Sequence, residues 1–166
     1  MKKNPENRIF IALGSNKGNR LGYIKSAIDA LKKNTFCTVV AVSKMYESKP
    51  FGAADQSNFF NCALEIRSSL DETELLRYLK KTELEVGRTP EKKWGPREID
   101  IDIILYGSKI FNTSDLVIPH PHFKERDFVL LPLIDLDKDL CDPESGEKIS
   151  NFLNKIEKFV INSFKL

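Results

Sequence analysis

The sequence predicts an α+β fold: a ferredoxin-like β-α-β-β-α-β core in which helices pack on an antiparallel sheet, followed by C-terminal additions. Three observations predict it. Four short segments are rich in β-branched and aromatic residues, two longer segments repeat apolar residues at helical spacing, and turn-forming or capping residues separate them. A chain of 166 residues is long enough to bury one core, so we expect a single domain spanning residues 1–166.

The first predicted strand precedes the first helix in the chain, and the second and third strands follow it. Residues 8–13 are the first predicted strand, and a turn rich in glycine and asparagine leads to a helix at about Arg20–Lys33. The second strand is expected at Cys37–Val42 and the third at residues 59–66. A polar loop containing proline and glycine connects these two strands.

The second helix has clear start and stop signals. Asp71 and Glu74 have the spacing of a capping box, and Gly87 follows the last residue of the helical pattern. The fourth strand begins at Asp100, in a strongly apolar, β-branched run. Two further segments are predicted beyond it, a short helix at residues 127–133 and an amphipathic segment at residues 149–164.

Composition and charge predict a globular protein with no general affinity for nucleic acid or membranes. Hydrophobic residues make up 41% of the chain, charged residues 30%, and the net charge is +2. The three cysteines are widely spaced and form no CxxC pair, which argues against a disulfide framework or a zinc site and favours a reducing compartment. No apolar run suits a signal peptide or a membrane span, so we expect a cytoplasmic protein.

Two aspartates at the start of the fourth strand are the strongest indication of function. Asp100 and Asp102 are one residue apart, so their carboxylates project from one face of the strand, roughly 6.5 Å apart along the chain. Desolvating two carboxylates is costly without a cation. Arg97 lies three residues upstream and adds a planar guanidinium that suits phosphate. The pattern predicts magnesium and a polyphosphate.

Two loops near these aspartates have competing interpretations. The connection at residues 88–97 carries several basic residues and one acid and leads directly into the aspartate pair, so we interpret it as a phosphate-contacting lid; the alternative is a solvated surface loop. The turn at residues 14–19 lacks the spacing of a P-loop, and we interpret it as a strand-to-helix turn.

Both histidines of the chain, His120 and His122, lie in one short segment. Together with Asp100 and Asp102 they could form a transition-metal site, which is the basis of an alternative assignment as a metal-dependent hydrolase. Basic residues immediately after the histidines favour an anion instead. A non-catalytic ferredoxin-like module that binds RNA is a weaker alternative, because the charge is near neutral and the RNP signature is missing.

An amide on an apolar strand predicts a second ligand. Asn61 lies on the same strand face as Phe59, and an amide on a core face needs a hydrogen-bonding partner. A flat heterocycle stacked between aromatic side chains, with Phe128 as the second ring, would supply that partner.

These segments resemble the 6-hydroxymethyl-7,8-dihydropterin pyrophosphokinase family of folate biosynthesis. Four stretches match in order: residues 11–16, 58–61, 94–102 and 119–128. The resemblance covers about residues 8–136 and leaves 137–166 as a C-terminal extension. It implies transfer of pyrophosphate from ATP to the hydroxymethyl group of the pterin, giving the pterin diphosphate and AMP. It further implies two Mg²⁺ ions, mobile loops at residues 48–56 and 89–93, and a monofunctional chain.

The resemblance also assigns roles to individual residues. It implies catalytic roles for Arg88, Arg97, Asp100 and Asp102, of which the two aspartates hold the metal ions. ATP would be bound by Arg88, Lys93, Arg97, Ile103, His120, Lys124 and Arg126. The pterin would be bound by Ser48, Phe51, Phe59, Asn61, Trp94, Asp100 and Phe128, with Glu83 close behind. The expected partners are these two small molecules, without nucleic acid or membrane, and the expected state is a monomer.

Two positions depart from the pattern of some relatives. Phe59 replaces a tyrosine, which keeps the stacking surface but removes a hydroxyl. Pro121 follows His120 where some relatives have a tyrosine, so a phosphate contact from that side chain is absent.

Overall fold

A central antiparallel sheet organises the fold in the computed structural model, which describes residues 7–52, 55–90 and 95–166. The strands of this sheet are β1 (Asn7–Ser15), β2 (Cys37–Val42), β3 (Met45–Ser48), β4 (Phe59–Ser68) and β5 (Asp100–Tyr106), with one more near the C-terminus. Two short strands, β6 (Phe111–Asn112) and β7 (Val117–Ile118), form a separate hairpin, and β8 (Val160–Phe164) is the C-terminal strand.

Three α-helices are found in the described ranges. They are α1 (Arg20–Lys33), α2 (Glu72–Val86) and α3 (Asp127–Leu136), with 3₁₀ turns at Phe123–Glu125 and Ile149–Lys155. The start of α2 has the predicted capping box, because the Glu74 amide donates to Asp71 and the Asp71 amide donates to Glu74. Gly87 ends the helix in the left-handed conformation, with φ of 116°.

The order of the strands confirms the predicted ferredoxin-like core. The sheet runs β5-β1-β4-β3-β8, and β2 also pairs with β4. The long strand β4 therefore has two partners on one edge: β2 pairs along its C-terminal half, from Leu64 to Ser68, and β3 along Phe59 to Asn61. The sheet has two strands more than the four that were predicted. The chain between β2 and β4 contributes β3, and the C-terminal segment contributes β8.

Both faces of the sheet are covered. On one face, strand residues such as Ile9 and Ile11 pack against α1 and α2 through Ile24 and Leu79. On the other face, Phe10 and Ala63 pack against α3 and the 3₁₀ turn at Ile149–Lys155. Alternation along β1 and β5 explains this, because successive side chains of a strand point to opposite faces. The C-terminal additions thus complete a second apolar layer.

The helices of the described residues include none that is both long and apolar enough to cross a bilayer.

Candidate active site

A cavity of about 500 Å³ opens where β1 ends and where β4 and β5 begin, beside the loop that follows β3 and the start of α3. Its lining of charged residues and histidine consists of Lys49, Arg97, Asp100, Asp102, His120 and Arg126. Its aromatic lining consists of Phe51, Phe59 and Phe128, with Asn61 among them. The structure therefore brings residues of four distant chain segments to one site.

The two aspartates face this cavity from β5, as their spacing predicts. Asp100 accepts from Arg88 at 2.7 Å and from Arg97 at 2.5 Å, and the ammonium of Lys80 lies 3.7 Å from it. Burial would raise the pKa of Asp100, but Lys80, Arg97 and Arg88 outweigh burial and lower that pKa. Asp100 is consequently a carboxylate at neutral pH, surrounded by cations.

Glu83 lies outside the cavity lining and binds the cations that surround Asp100. It is only 2% exposed, and its carboxylate accepts from the Ile101 amide at 2.6 Å, from Lys80 at 2.7 Å and from Arg88. Desolvation raises the pKa of Glu83, and Lys80 partly offsets this effect. Glu83 therefore fixes the positions of Lys80, Arg88 and the backbone of β5, and has no direct place in the cavity lining.

Lys80 is a site residue that the sequence analysis missed. Its ammonium lies 3.3 Å from Asp102 and donates to the Ile101 carbonyl at 2.9 Å. Within the described residues, this cluster contains three carboxylates and three cations, namely Glu83, Asp100, Asp102, Lys80, Arg88 and Arg97. The only sequence signal was the i,i+3 spacing of Lys80 and Glu83 on α2, which is common on solvated helix faces.

The carboxylate pair fits Mg²⁺ better than a transition metal. Magnesium takes one or two protein carboxylates and completes its shell with water and phosphate oxygens. Across the part of the chain that the structure describes, no three His, Cys, Asp or Glu side chains converge to hold a metal ion. His122 instead lies 3.4 Å from Glu125 with its ring 6.2 Å from that of His120. The four-residue site of a metal-dependent hydrolase is not supported.

Arg126 and His120 line the same cavity as the two aspartates. Burial lowers the pKa of His120, with Asp102 opposing the effect. Burial likewise lowers the pKa of Arg126, although Asp102 again acts against it. The buried Nε of Arg126 has no hydrogen-bond partner among the described residues. A guanidinium whose buried Nε is an unused donor is suited to an anionic ligand.

Asn61 and Gly14 shape the aromatic part of the cavity. Asn61 is 7% exposed, and its amide nitrogen donates to the hydroxyl of buried Ser48 at 2.9 Å. Gly14 is paired with Asn61 across β1 and β4, and a Cβ at Gly14 would lie 3.1 Å from Asn61 Oδ1 and 3.7 Å from the Phe59 ring. Ser48 thus orients the amide rather than lining the cavity, and Gly14 leaves the space beside it open.

Asn16 is a second residue that the sequence analysis passed over. Its side-chain oxygen accepts from the Arg97 amide at 2.8 Å, and its side-chain nitrogen donates to Gln56 at 3.0 Å. Its own backbone amide donates to the Arg97 carbonyl at 3.1 Å. The turn at residues 14–19 therefore positions the arginine segment and the loop before β4, a role beyond a simple strand-to-helix turn.

Two predicted ATP ligands lie elsewhere. Lys124 is 2.7 Å from Asp142 and 3.0 Å from Glu144, and it does not line the cavity. Ile103 is 2% exposed in the core on the opposite face of β5, because strand alternation turns it away from the aspartates; Ile104 lines the cavity instead. Side-chain contacts of these two residues with a ligand in the cavity are not supported. The predicted sites at Lys93 and Trp94 lie outside the described residues.

Comparison with known proteins identifies the family. The model of the family described as 7,8-dihydro-6-hydroxymethylpterin-pyrophosphokinase matches residues 10–138. The chain is 42% identical over 144 residues to the 2-amino-4-hydroxy-6-hydroxymethyldihydropteridine pyrophosphokinase of Aquifex aeolicus, covering 87% of this chain and 89% of that protein. It is 45% identical over 130 residues to the enzyme of the same name from Bacillus subtilis, covering 78% of each.

Solved structures agree at the level of the fold. The wild-type HPPK-DHPS of Plasmodium falciparum with STZ-DHP superposes with a TM-score of 0.70 at 15% identity, covering 93% of this chain. The present chain spans 44% of that longer chain. The family match over residues 10–138, together with the Aquifex aeolicus and Bacillus subtilis relatives, establishes that the chain belongs to the 7,8-dihydro-6-hydroxymethylpterin-pyrophosphokinase family.

Proposed function

We propose that the cavity catalyses transfer of pyrophosphate from ATP to the hydroxymethyl group of 6-hydroxymethyl-7,8-dihydropterin, giving the pterin diphosphate and AMP. Members of this family are ATP-dependent pyrophosphokinases of folate biosynthesis. One observation carries the assignment of the reaction to this cavity: a carboxylate pair with basic neighbours and an aromatic pocket with a buried amide line the same space.

Asp100 and Asp102 are the residues that would hold the metal, and we propose two Mg²⁺ ions. Bound there, the ions would neutralise phosphate charge and stabilise the transferring group. Arg88 and Arg97 contact Asp100 and Lys80 contacts Asp102, so metal ions at these carboxylates would compete with the protein's own cations. Arg88 and Arg97 would then be close enough to bind the phosphates, for which their planar donors are suited.

Phe59 and Phe128 would hold the pterin ring by stacking, and Asn61 would bind its polar edge through the amide. The Ser48 hydroxyl accepts from the Asn61 nitrogen, which leaves the second N–H and the oxygen of the amide for a ligand. This placement would bring the hydroxymethyl oxygen towards the charged wall of the same cavity. The pterin pocket therefore supplies orientation, which is a large part of catalysis in phosphoryl transfer.

In the proposed reaction, the hydroxymethyl oxygen forms a bond to the β-phosphorus and the bond from that phosphorus to the α,β-bridging oxygen breaks. The bridging oxygen leaves on AMP with its electron pair, and the hydroxyl proton is released to solvent. Arg97 and Arg126 line the cavity where they can stabilise charge on the phosphates as the bond breaks. No described side chain is required as a covalent nucleophile.

The test is a nucleotide-product assay with ATP, Mg²⁺ and the pterin alcohol, resolved by ion-exchange chromatography. We expect AMP to accumulate in proportion to pterin diphosphate, and only when the pterin is present. ADP or free phosphate as the main product would contradict the proposed transfer. Pterin-independent release of AMP would do the same, because it indicates hydrolysis.

A further inference from the structure

The C-terminal segment meets the aromatic part of the cavity through Phe159, which lies beyond the residues that the family model matches. Strand β8 pairs with β3, and Val160 is the partner of Ser48. Just outside this pairing, the Lys49 amide donates to the Phe159 carbonyl at 2.9 Å. The last residues of the chain therefore fix the start of the loop that carries Phe51.

The same segment is tied to the start of α3. Asp127 is buried, and its Oδ2 accepts from the Phe159 amide at 2.9 Å and from the Val160 amide at 3.0 Å. Hydrogen bonds to a carboxylate are stronger than those between neutral groups. Because Asp127 lies between Arg126 and Phe128 in the chain, these two bonds fix the backbone that carries both cavity residues.

The Phe159 ring completes the arrangement. Its centroid is 5.2 Å from that of Phe51 and 6.2 Å from that of Phe128, and the Phe51 and Phe128 centroids are 6.3 Å apart. Phe51 and Phe128 line the cavity, whereas Phe159 lies behind them and is absent from its lining. Phe159 thus contacts both rings without facing a ligand.

We propose that Phe159 is a positioning residue for pterin binding, which holds Phe51 and Phe128 in place through its ring and joins their two chain segments through its backbone. This inference rests on the proposed function, since that function assigns Phe128 to the pterin. Phe51 is 40% exposed, and among the described residues the Phe159 ring is the nearest aromatic neighbour of its ring, with Phe128 further away and the Arg126 guanidinium 5.1 Å from its centroid. A restrained ring binds a flat ligand with a smaller loss of conformational freedom.

The test compares five proteins that each carry all 166 residues: the wild type and the variants Phe159→Ala, Phe159→Tyr, Phe164→Ala and Phe128→Ala. Phe164 is a matched control, because it lies on the same strand β8 but packs on Phe60, with centroids 5.4 Å apart. Calorimetry measures the Kd of the pterin in the presence of Mg²⁺ and α,β-methylene-ATP, which cannot be cleaved at the bridging position. The Kd of that nucleotide is measured separately.

Phe159→Ala is expected to raise the pterin Kd about fivefold and to leave the nucleotide Kd within about twofold. Phe164→Ala is expected to leave both constants unchanged even if it lowers Tm. Phe159→Tyr, which keeps the ring, is expected to restore pterin affinity. Equal effects of Phe159→Ala and Phe164→Ala would overturn the inference, because the strand would then contribute only general stability.

The two proposals fail in different ways. If Phe128→Ala raises the pterin Kd while Phe159→Ala does not, the positioning inference is wrong and the proposed function stands. If Phe128→Ala leaves the pterin Kd unchanged, the proposed stacking of the pterin on Phe128 is wrong, whatever the effect of Phe159→Ala.

Discussion

The ammonium of Lys80 lies 3.3 Å from a carboxylate oxygen of Asp102, although 22 residues separate the two in the chain. The contact joins the middle of α2 to the start of β5, where the metal ligands are proposed. Lys80 also lies 3.7 Å from Asp100, so one ammonium lies close to both carboxylates. A divalent ion entering this place must compete with a cation that belongs to the protein.

Replacement of Lys80 by methionine should therefore strengthen metal binding to the nucleotide-free protein. Removing one positive charge within about 4 Å of the carboxylates should lower the Kd for Mn²⁺ at least about tenfold, as measured by electron paramagnetic resonance. Lys81→Met is the matched control, since Lys81 is the next residue, is 73% exposed and pairs only with Glu85 among the described contacts. A similar decrease of the Mn²⁺ Kd in both variants would mean that the effect comes from the net charge of the protein alone.

Asp100→Asn and Asp102→Asn should each reduce pyrophosphate transfer by at least about a thousandfold at saturating Mg²⁺, because each removes a proposed metal ligand. Pterin binding should change far less, and calorimetry measures it independently of turnover. Asp115→Asn, an exposed aspartate between β6 and β7, serves as the control. Near-normal turnover of both variants would refute the two-metal assignment.

Asn61→Ala should raise the pterin Kd at least about tenfold, since it removes the amide that would pair with the polar edge of the ring. Ser48→Ala should raise it less, about two- to fourfold, because Ser48 only orients that amide. Equilibrium binding followed by pterin fluorescence would rank the two variants. The reverse order would mean that Ser48, not Asn61, makes the direct contact.

Asp142 should make stability depend on pH. Burial would raise its pKa, but hydrogen bonds from Lys124 and Ser145 outweigh burial and lower it. A lowered carboxyl pKa stabilises the folded state above the ordinary value of about 3.9, and this stability is lost as pH falls below it. Asp142→Asn should cost about 2 kcal/mol in urea unfolding at pH 7 and progressively less towards pH 3.

Glu144→Gln is the control for that measurement. Glu144 contacts the same ammonium, at 3.0 Å, but its side chain is about half exposed, so its ion pair contributes little. We expect a change below about 0.5 kcal/mol at every pH. A difference between wild type and Asp142→Asn that grows as the pH falls would contradict the sign of the proposed effect.

Local sequence patterns predicted most of the core, because each of these elements is determined by residues that are close together in the chain. The capping box of Asp71 and Glu74 and the left-handed Gly87 set both ends of α2 before any tertiary contact was known. Strand alternation likewise placed Asp100 and Asp102 on one face. Strand β8 lacked such a signal, because its exposed residues Ile161 and Asn162 give no clear alternation and its pairing with β3 is long-range.

Residues that depend on contacts between elements were not predictable in this way. Lys80 looks like any solvated helix lysine until β5 is placed beside α2. Lys124 looked like a phosphate ligand, yet Asp142, 18 residues further along, binds its ammonium. Ile103 was placed at the ligand by resemblance, whereas strand alternation directs its side chain into the core.

Gly14 has a consequence for inhibition. Its backbone φ is not in the left-handed region, so a Cβ there would meet no backbone strain; it would press on Asn61 Oδ1 at 3.1 Å and make an ordinary contact with the Phe59 ring at 3.7 Å. Because Gly14 has no side chain, the part of the cavity beside it stays available to a ligand. A methyl group at position 14 would occupy the edge of the cavity beside Asn61 and would block a ligand there, as an inhibitor bound at the same place would.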